Sequence, residues 1–122
     1  MLFRSEQLWR LVNSQRLVVA SGDHEQLFGL KKPVDAASSV MTTIGTKKIV
    51  DYFCSKICSD LILNFEGEIQ IEFLNTSGGY ESWRVENNNV SVVSQGGGRL
   101  SNSIWLVILG FTLHYKIECQ KL

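Results

Sequence analysis

From position 60 to position 94 apolar and polar residues of this 122-residue chain alternate with a period of two. In "EIQIEFLN", Ile69, Ile71 and Phe73 alternate with Glu68, Gln70 and Glu72. Successive side chains of a strand point to opposite faces, so the apolar set predicts a buried face and the charged set a wet one. "DLILNF" precedes it across Glu66-Gly67, which completes a hairpin. Thr76-Ser77-Gly78-Gly79 is the next turn signal. In "YESWRVE" the side with Glu81, Trp83 and Val85 is the core side, and Tyr80, Ser82, Arg84 and Glu86 lie opposite. Asn87-Asn88-Asn89 turns the chain again, "VSVVS" follows, and Gly96-Gly97-Gly98 ends it. The pattern predicts a β-meander of four short strands over Asp60–Ser94.

The first half is less regular. Ser5 can cap a short N-terminal helix in which Leu8, Trp9, Leu11 and Val12 share a face and Arg4, Glu6, Gln7 and Arg10 stay wet. "RLVVAS", Arg16–Ser21, reads as a strand, Gly22-Asp23 as a turn, and "HEQLFGL", His24–Leu30, as the return strand of a loose hairpin. Pro33 interrupts. Asp35 then caps a second helix, "AASSVMTTI", whose Ala36, Ala37, Val40, Met41 and Ile44 share one face and which stops at Gly45. In "KKIVDYFCSKICSDL" the spacing of the apolar residues is helical, whereas the β-branched and aromatic content favours a strand. A strand over Lys48–Cys54 is the expectation. "IWLVILGFTLHYKI", Ile104–Ile117, has about a dozen mostly apolar residues, fewer than the roughly 20 of a membrane-spanning helix, and reads as a buried strand.

Composition narrows the class. The length suits one domain, and 44% apolar residues suffice for a core without metal or disulfide. Twelve basic residues balance twelve acidic ones, which argues against a nucleic-acid module. Three cysteines, Cys54, Cys58 and Cys119, do not suggest a secreted disulfide framework, and Glu6 and Arg10 interrupt any N-terminal apolar core of a signal peptide. The cytoplasm is the expected compartment. Asp60–Glu86 carries one basic residue, Arg84, against six acidic ones. Glu68 and Glu72 are expected on the wet face of one strand. That face is either simply solvated or a surface for a basic partner.

Catalytic patterns are weak. His24, beside Asp23 and Glu25, reads as a solvated turn residue, and His114 as a strand residue; neither has a local partner that singles it out. On a strand Cys54 and Cys58 would lie about 13 Å apart at roughly 3.3 Å per residue, too far to share an ion, and buried inert thiols are the expectation. "QGGGRLS" lacks the Lys-Ser/Thr ending of a phosphate loop and reads as a turn. No cofactor and no metal are expected.

"FGLKKPVDA", "DLILNFEGEIQIEFLN" and "GGYESWRVENNNVSVVSQGGG" together resemble a family of small bacterial proteins of unknown function. The resemblance covers about Leu8 to Leu100, marks turns and core strands, and favours a strand at Lys48–Cys54. It transfers no functional site. Related small domains are similar to immunity proteins of bacterial toxin systems, which implies a non-enzymatic protein that neutralises a toxin by covering it. The tail from Ser101 departs from that pattern.

The expected architecture is α+β: an antiparallel β-meander with an N-terminal helix and one further short helix. Residues 1–100 form the domain, and 101–122 an apolar segment packed on it or at an oligomer interface. The expected function is a non-catalytic protein-interaction domain of the immunity or regulatory kind. Its contact residues are Glu68, Glu72, Tyr80, Glu81 and Arg84, with no nucleic-acid or membrane partner. One alternative is a small-ligand-binding domain or enzyme using Tyr80, Arg84, Glu81 or His24 around a cleft beside the meander. Another is a homo-oligomer assembled through Ile104–Ile117.

Overall fold

The computed structural model describes residues 2–5, 8–87, 90–101 and 116–119. The order of elements is β1 (Leu2–Ser5), β2 (Trp9–Val12), β3 (Leu17–Ala20), α1 (Ala36–Ile44), β4 (Ile49–Cys54), β5 (Leu61–Phe65), β6 (Ile69–Phe73), β7 (Trp83–Asn87), β8 (Val90–Val93) and β9 (Lys116–Cys119). They form two sheets, a five-stranded one in the order β3-β2-β6-β5-β4 and a four-stranded one in the order β8-β7-β1-β9. The class is α+β, and the pairing is antiparallel except where β9 runs parallel to β1.

The five-stranded sheet follows from its alternation. A row of cross-strand neighbours, Val19, Leu11, Ile71, Leu63 and Tyr52, crosses all five strands. The first four of these are buried and Tyr52 is half-buried. The adjacent row, Ala20, Arg10, Glu72, Ile62 and Phe53, faces the other way. Residues two apart along each strand share a face, so one row is core and its neighbour is wetter. The helix lies against β3 and β9 and adds Ala36, Val40 and Ile44 to the core. Trp83, Val85 and Val92 of the smaller sheet join the same cluster, so both sheets share one core.

The second helix agrees with its sequence. The Asp35 carboxylate accepts from Ser38 N at 3.0 Å, and Gly45 ends the helix with φ 58°. His24 adds a contact that the sequence did not suggest: its Nδ1 accepts from Ala36 N, 3.2 Å away. The ring therefore occupies one of the orphan donors of the first helical turn. The strand at Lys48–Cys54 is also observed, as β4, and Ser55–Cys58 leaves it as a turn.

Four expectations are corrected. The N-terminal helix is absent, because Leu2–Ser5 and Trp9–Val12 are strands. Trp9 and Leu11 pair with Phe73 and Ile71, so long-range pairing overrides a weak local helical pattern. His24–Leu30 is not a return strand. β3 pairs back onto β2, across a turn in which the Asn13 side chain accepts from Gln15 N and Arg16 N. The four strands of 60–94 exist, but they are two hairpins in two sheets rather than one meander. The connection Leu74–Ser82 carries the chain between sheets, and β7 finds β1 as its second neighbour. Finally, Ser82, expected on the wet side with Tyr80, is buried.

Of the tail, Lys116–Cys119 forms an edge strand beside β1. The rest of Ile104–Ile117, with His114 and the expected oligomer interface, lies outside the described residues. Among the described residues no helix is long and apolar enough to cross a membrane.

The corrected N-terminus makes a stability contrast. A helix would bury Leu8 with Trp9, whereas the strand buries Trp9 and leaves Leu8 48% exposed. Trp9→Ala should cost about 3–5 kcal/mol, and Leu8→Ala less than about 1 kcal/mol, in denaturant unfolding. Equal losses at the two positions would restore the helix.

Candidate functional site: a cleft where three loops converge

Three connections meet where the two sheets join: Ser55–Asp60 between β4 and β5, Leu74–Ser82 between β6 and β7, and Ser94–Ser101 after β8. Each is anchored by a small polar residue at or near a strand end. Ser59, Ser82 and Ser94 are fully buried, and Asn75 is half-buried. The hydroxyls of Ser59 and Ser94 share a hydrogen bond of 2.6 Å. Asn75 Nδ2 donates to Ser59 Oγ at 3.3 Å, and Ser82 Oγ donates to Asn75 Oδ1 at 2.7 Å. Trp83 Nε1 donates to the Ser59 carbonyl at 2.9 Å, and Asp60 accepts from Asn75 N at 2.8 Å. Buried polar groups are costly unless paired, and this cluster pairs them across all three loops. Ser59 has φ 56°, an uncommon conformation for a serine, held by the bonds around it.

Glycines let the loops approach. Gly96–Gly98 makes a tight turn closed by Gly98 N donating to Gln95 O, with positive φ at Gly97 and Gly98, and Gly97 N donates to Ser77 O. A side chain at Gly96 would come within 2.5 Å of the Gly79 carbonyl carbon, and one at Gly98 would overlap the carbonyl oxygen of Ile57. The Gly-Gly-Gly run is a turn, as its sequence suggests, and also a backbone contact surface.

A cleft of about 290 Å³ opens beside this junction, lined by Ile57, Cys58, Asn75, Thr76, Ser77, Gly78 and Gly97. Ile57 stands on its rim at 83% exposure. Beyond Gly78 and Gly79, Tyr80 is 79% exposed on an ordered turn, because Ser77 Oγ accepts from Gly79 N and Tyr80 N at 3.1 and 2.8 Å. The Arg84 guanidinium lies 3.7 Å from the Glu81 carboxylate. Tyr80, Glu81 and Arg84 are therefore neighbours.

Glu68 and Glu72 do not join them. Glu68 is in the β5–β6 turn with φ 60°, at the hairpin end remote from the cleft. Glu72 sits on β6, where its carboxylate accepts from Arg10 Nε and from Gln70 Nε2. That bond, then the charge of Glu72, raises the Arg10 pKa from its already high value. The expectation that Glu68 and Glu72 share the wet face of one strand is thus corrected: the first lies outside the strand and the second is neutralised across it.

None of Tyr80, Glu81, Arg84 or His24 lines the cleft. Sequence reasoning instead missed Ser59, Asn75, Ser82 and Ser94. Their signal was position: small polar residues stand just before Leu61 and Trp83 and just after Phe73 and Val93.

The thiols differ from the buried pair expected. Cys58 is exposed, and Cys54 is half-buried. Burial, and then the negative charge of Asp60, pushes the Cys54 thiol up. Among the described residues no group of three or more His, Cys, Asp and Glu is placed to hold a metal ion.

Compared with protein families, curated proteins and solved structures, the chain matches nothing in any of the three.

The junction yields two predictions. Gly98→Ala meets both positive φ and the Ile57 carbonyl, so it should cost about 2 kcal/mol or more, whereas Gly78→Ala, with open space around it, should stay within about 0.5 kcal/mol. Unfolding midpoints read the difference. A raised pKa lowers the thiolate fraction at any given pH, so the alkylation rate of Cys54 should rise at higher pH than for an ordinary thiol. Peptide mapping by mass spectrometry near neutral pH should find Cys58 alkylated at least about tenfold faster than Cys54.

Proposed function

We propose that this chain is a non-catalytic protein-interaction domain whose contact surface is the rim of the cleft. The observation that carries this reading is the display of Ile57 and Tyr80, large apolar side chains held out on hydrogen-bonded turns beside a concave surface. Hot spots of protein interfaces are enriched in such anchors, tyrosine in particular. Val50 and Phe53, also exposed, add apolar side chains on β4, one of the two edge strands of the larger sheet. Strand addition is not the mode proposed. The edge carries a register irregularity between Ile49 and Asp51, and the Asp51 carboxylate takes the Tyr52 N–H at 2.7 Å. Both features blunt an edge.

The acidic middle of the chain supplies less of the recognition than its composition suggests. Glu72 is neutralised by Arg10, and Glu81 lies next to Arg84. The partner in this reading is a protein with an apolar patch, bordered by groups that complement the Glu81–Arg84 pair. A regulatory or neutralising role in the cytoplasm is part of this proposal and rests on the sequence-motif resemblance alone.

The competing reading is a small ligand in the cleft, favoured by its concavity. It is the weaker one because Asn75 and Ser77, two of the polar side chains there, are already engaged. Asn75 Oδ1 accepts from Ser77 N and Ser82 Oγ, and Ser77 Oγ accepts from two backbone amides. A ligand that took these groups would have to displace the bonds that fix the Leu74–Ser82 connection.

Ile57→Asp and Tyr80→Asp decide between the readings. Both positions are exposed, so the melting temperature should hold, while affinity for a partner captured by the wild-type chain should fall at least about tenfold. Capture unaffected by both variants, or turnover of a small molecule by the purified chain, would reverse the choice.

A further inference from the structure

Glu25–Pro33 is a finger. All nine of its residues are exposed, yet its base is closed by two backbone bonds, Glu25 N to Val34 O at 2.8 Å and Val34 N to Gln26 O at 2.9 Å. Its tip is also closed, by Leu30 N donating to Leu27 O at 2.7 Å. The two residues between them, Phe28 and Gly29, have φ 46° and 78°. Positive φ at both central positions is the pattern of a type I′ turn, for which Asn-Gly and Asp-Gly are the favoured pairs. Here a phenylalanine stands where asparagine or aspartate fits with least strain. Leu27, Phe28 and Leu30 are 53%, 68% and 59% exposed. Lys31 and Lys32 follow directly, also exposed, and no acidic residue lies between Gln26 and Val34.

The tip combines three projecting apolar side chains, two adjacent ammonium groups and a backbone that holds them out. We propose that this finger docks the protein on an anionic lipid surface, with Leu27, Phe28 and Leu30 entering the headgroup–acyl boundary and Lys31 and Lys32 on lipid phosphates. A protein partner would need roughly 800 Å² of this chain, more than a nine-residue projection offers alone, whereas a bilayer sets no such minimum. Apolar insertion with flanking basic residues is the chemistry of interfacial binding, and it requires no crossing helix. The inference is independent of the cleft rim, since it uses none of those residues.

Phe28→Asn is the sharpest test. Asparagine suits the turn, so the melting temperature should stay or rise, while the insertion anchor is lost. The full chain should co-sediment with phosphatidylcholine vesicles containing about one-third phosphatidylserine, less with pure phosphatidylcholine, and less as salt increases. Phe28→Asn, and separately Lys31→Glu with Lys32→Glu, should each weaken that partition about tenfold or more. Ile57→Asp should leave it unchanged, which separates this proposal from the interaction surface at the cleft. No sedimentation of the wild-type chain with the anionic vesicles, or equal sedimentation of Phe28→Asn, overturns the proposal. So does a finger that captures an acidic protein while leaving vesicles alone.

Discussion

The indole of Trp83 is buried at the boundary between the two sheets, and its N–H donates to the carbonyl of Ser59. On this contact the rest of the arrangement depends. Trp83 opens β7 of the smaller sheet, while Ser59 leads into β5 of the larger one, so a single side chain ties the two hairpins together. A buried indole is tolerated when its N–H finds a partner, and here the partner lies in a loop that must itself be held. The hydroxyls of Ser59, Ser82 and Ser94 and the amide of Asn75 hold it. The close approach of Gly96 to Gly79 and of Gly98 to Ile57 brings the loops within reach. The cleft is a consequence of that convergence: walls built for packing leave a concavity beside them.

Charge tells a different story from composition. The stretch Asp60–Glu86 is strongly acidic in sequence, yet the fold scatters its carboxylates. Glu72 meets Arg10 from β2, Glu81 lies next to Arg84, and Asp60 is turned inward to bond Asn75 N. Exposed pairs of this kind add little stability. Their effect is on the surface, which loses a continuous negative face. Exposed large apolar side chains stand out instead, and among the described residues two sets of them sit on hydrogen-bonded turns: Ile57 and Tyr80 beside the cleft, and Leu27, Phe28 and Leu30 at the finger tip. In both, hydrogen bonds fix a turn and leave a large side chain in water. Such display runs against burial of apolar area. At Phe28 it also runs against the local turn preference, a conflict expected at functional positions.

What the sequence determined was local. Helix α1 starts at Asp35 and stops at Gly45, because a carboxylate cap and a left-handed glycine act within one turn of the chain. The β5–β6 hairpin was legible because its alternation and its Gly67 turn lie within a few residues of each other, and Trp83 and Val85 were correctly placed in the core by the same period. What only the tertiary structure decided was partnership. Trp9–Val12 fits a helical stripe in isolation and becomes a strand because β6 offers Ile71 and Phe73 as neighbours. The four strands of 60–94 divide between two sheets because β7 pairs with β1, from the far end of the chain. Nothing local encodes that choice, since a strand's period says which face is greasy and not which strand lies beside it. The candidate site shares this fate. Ser59, Asn75, Ser82 and Ser94 look like ordinary turn residues one by one, and they become a site only when the loops that carry them are brought together.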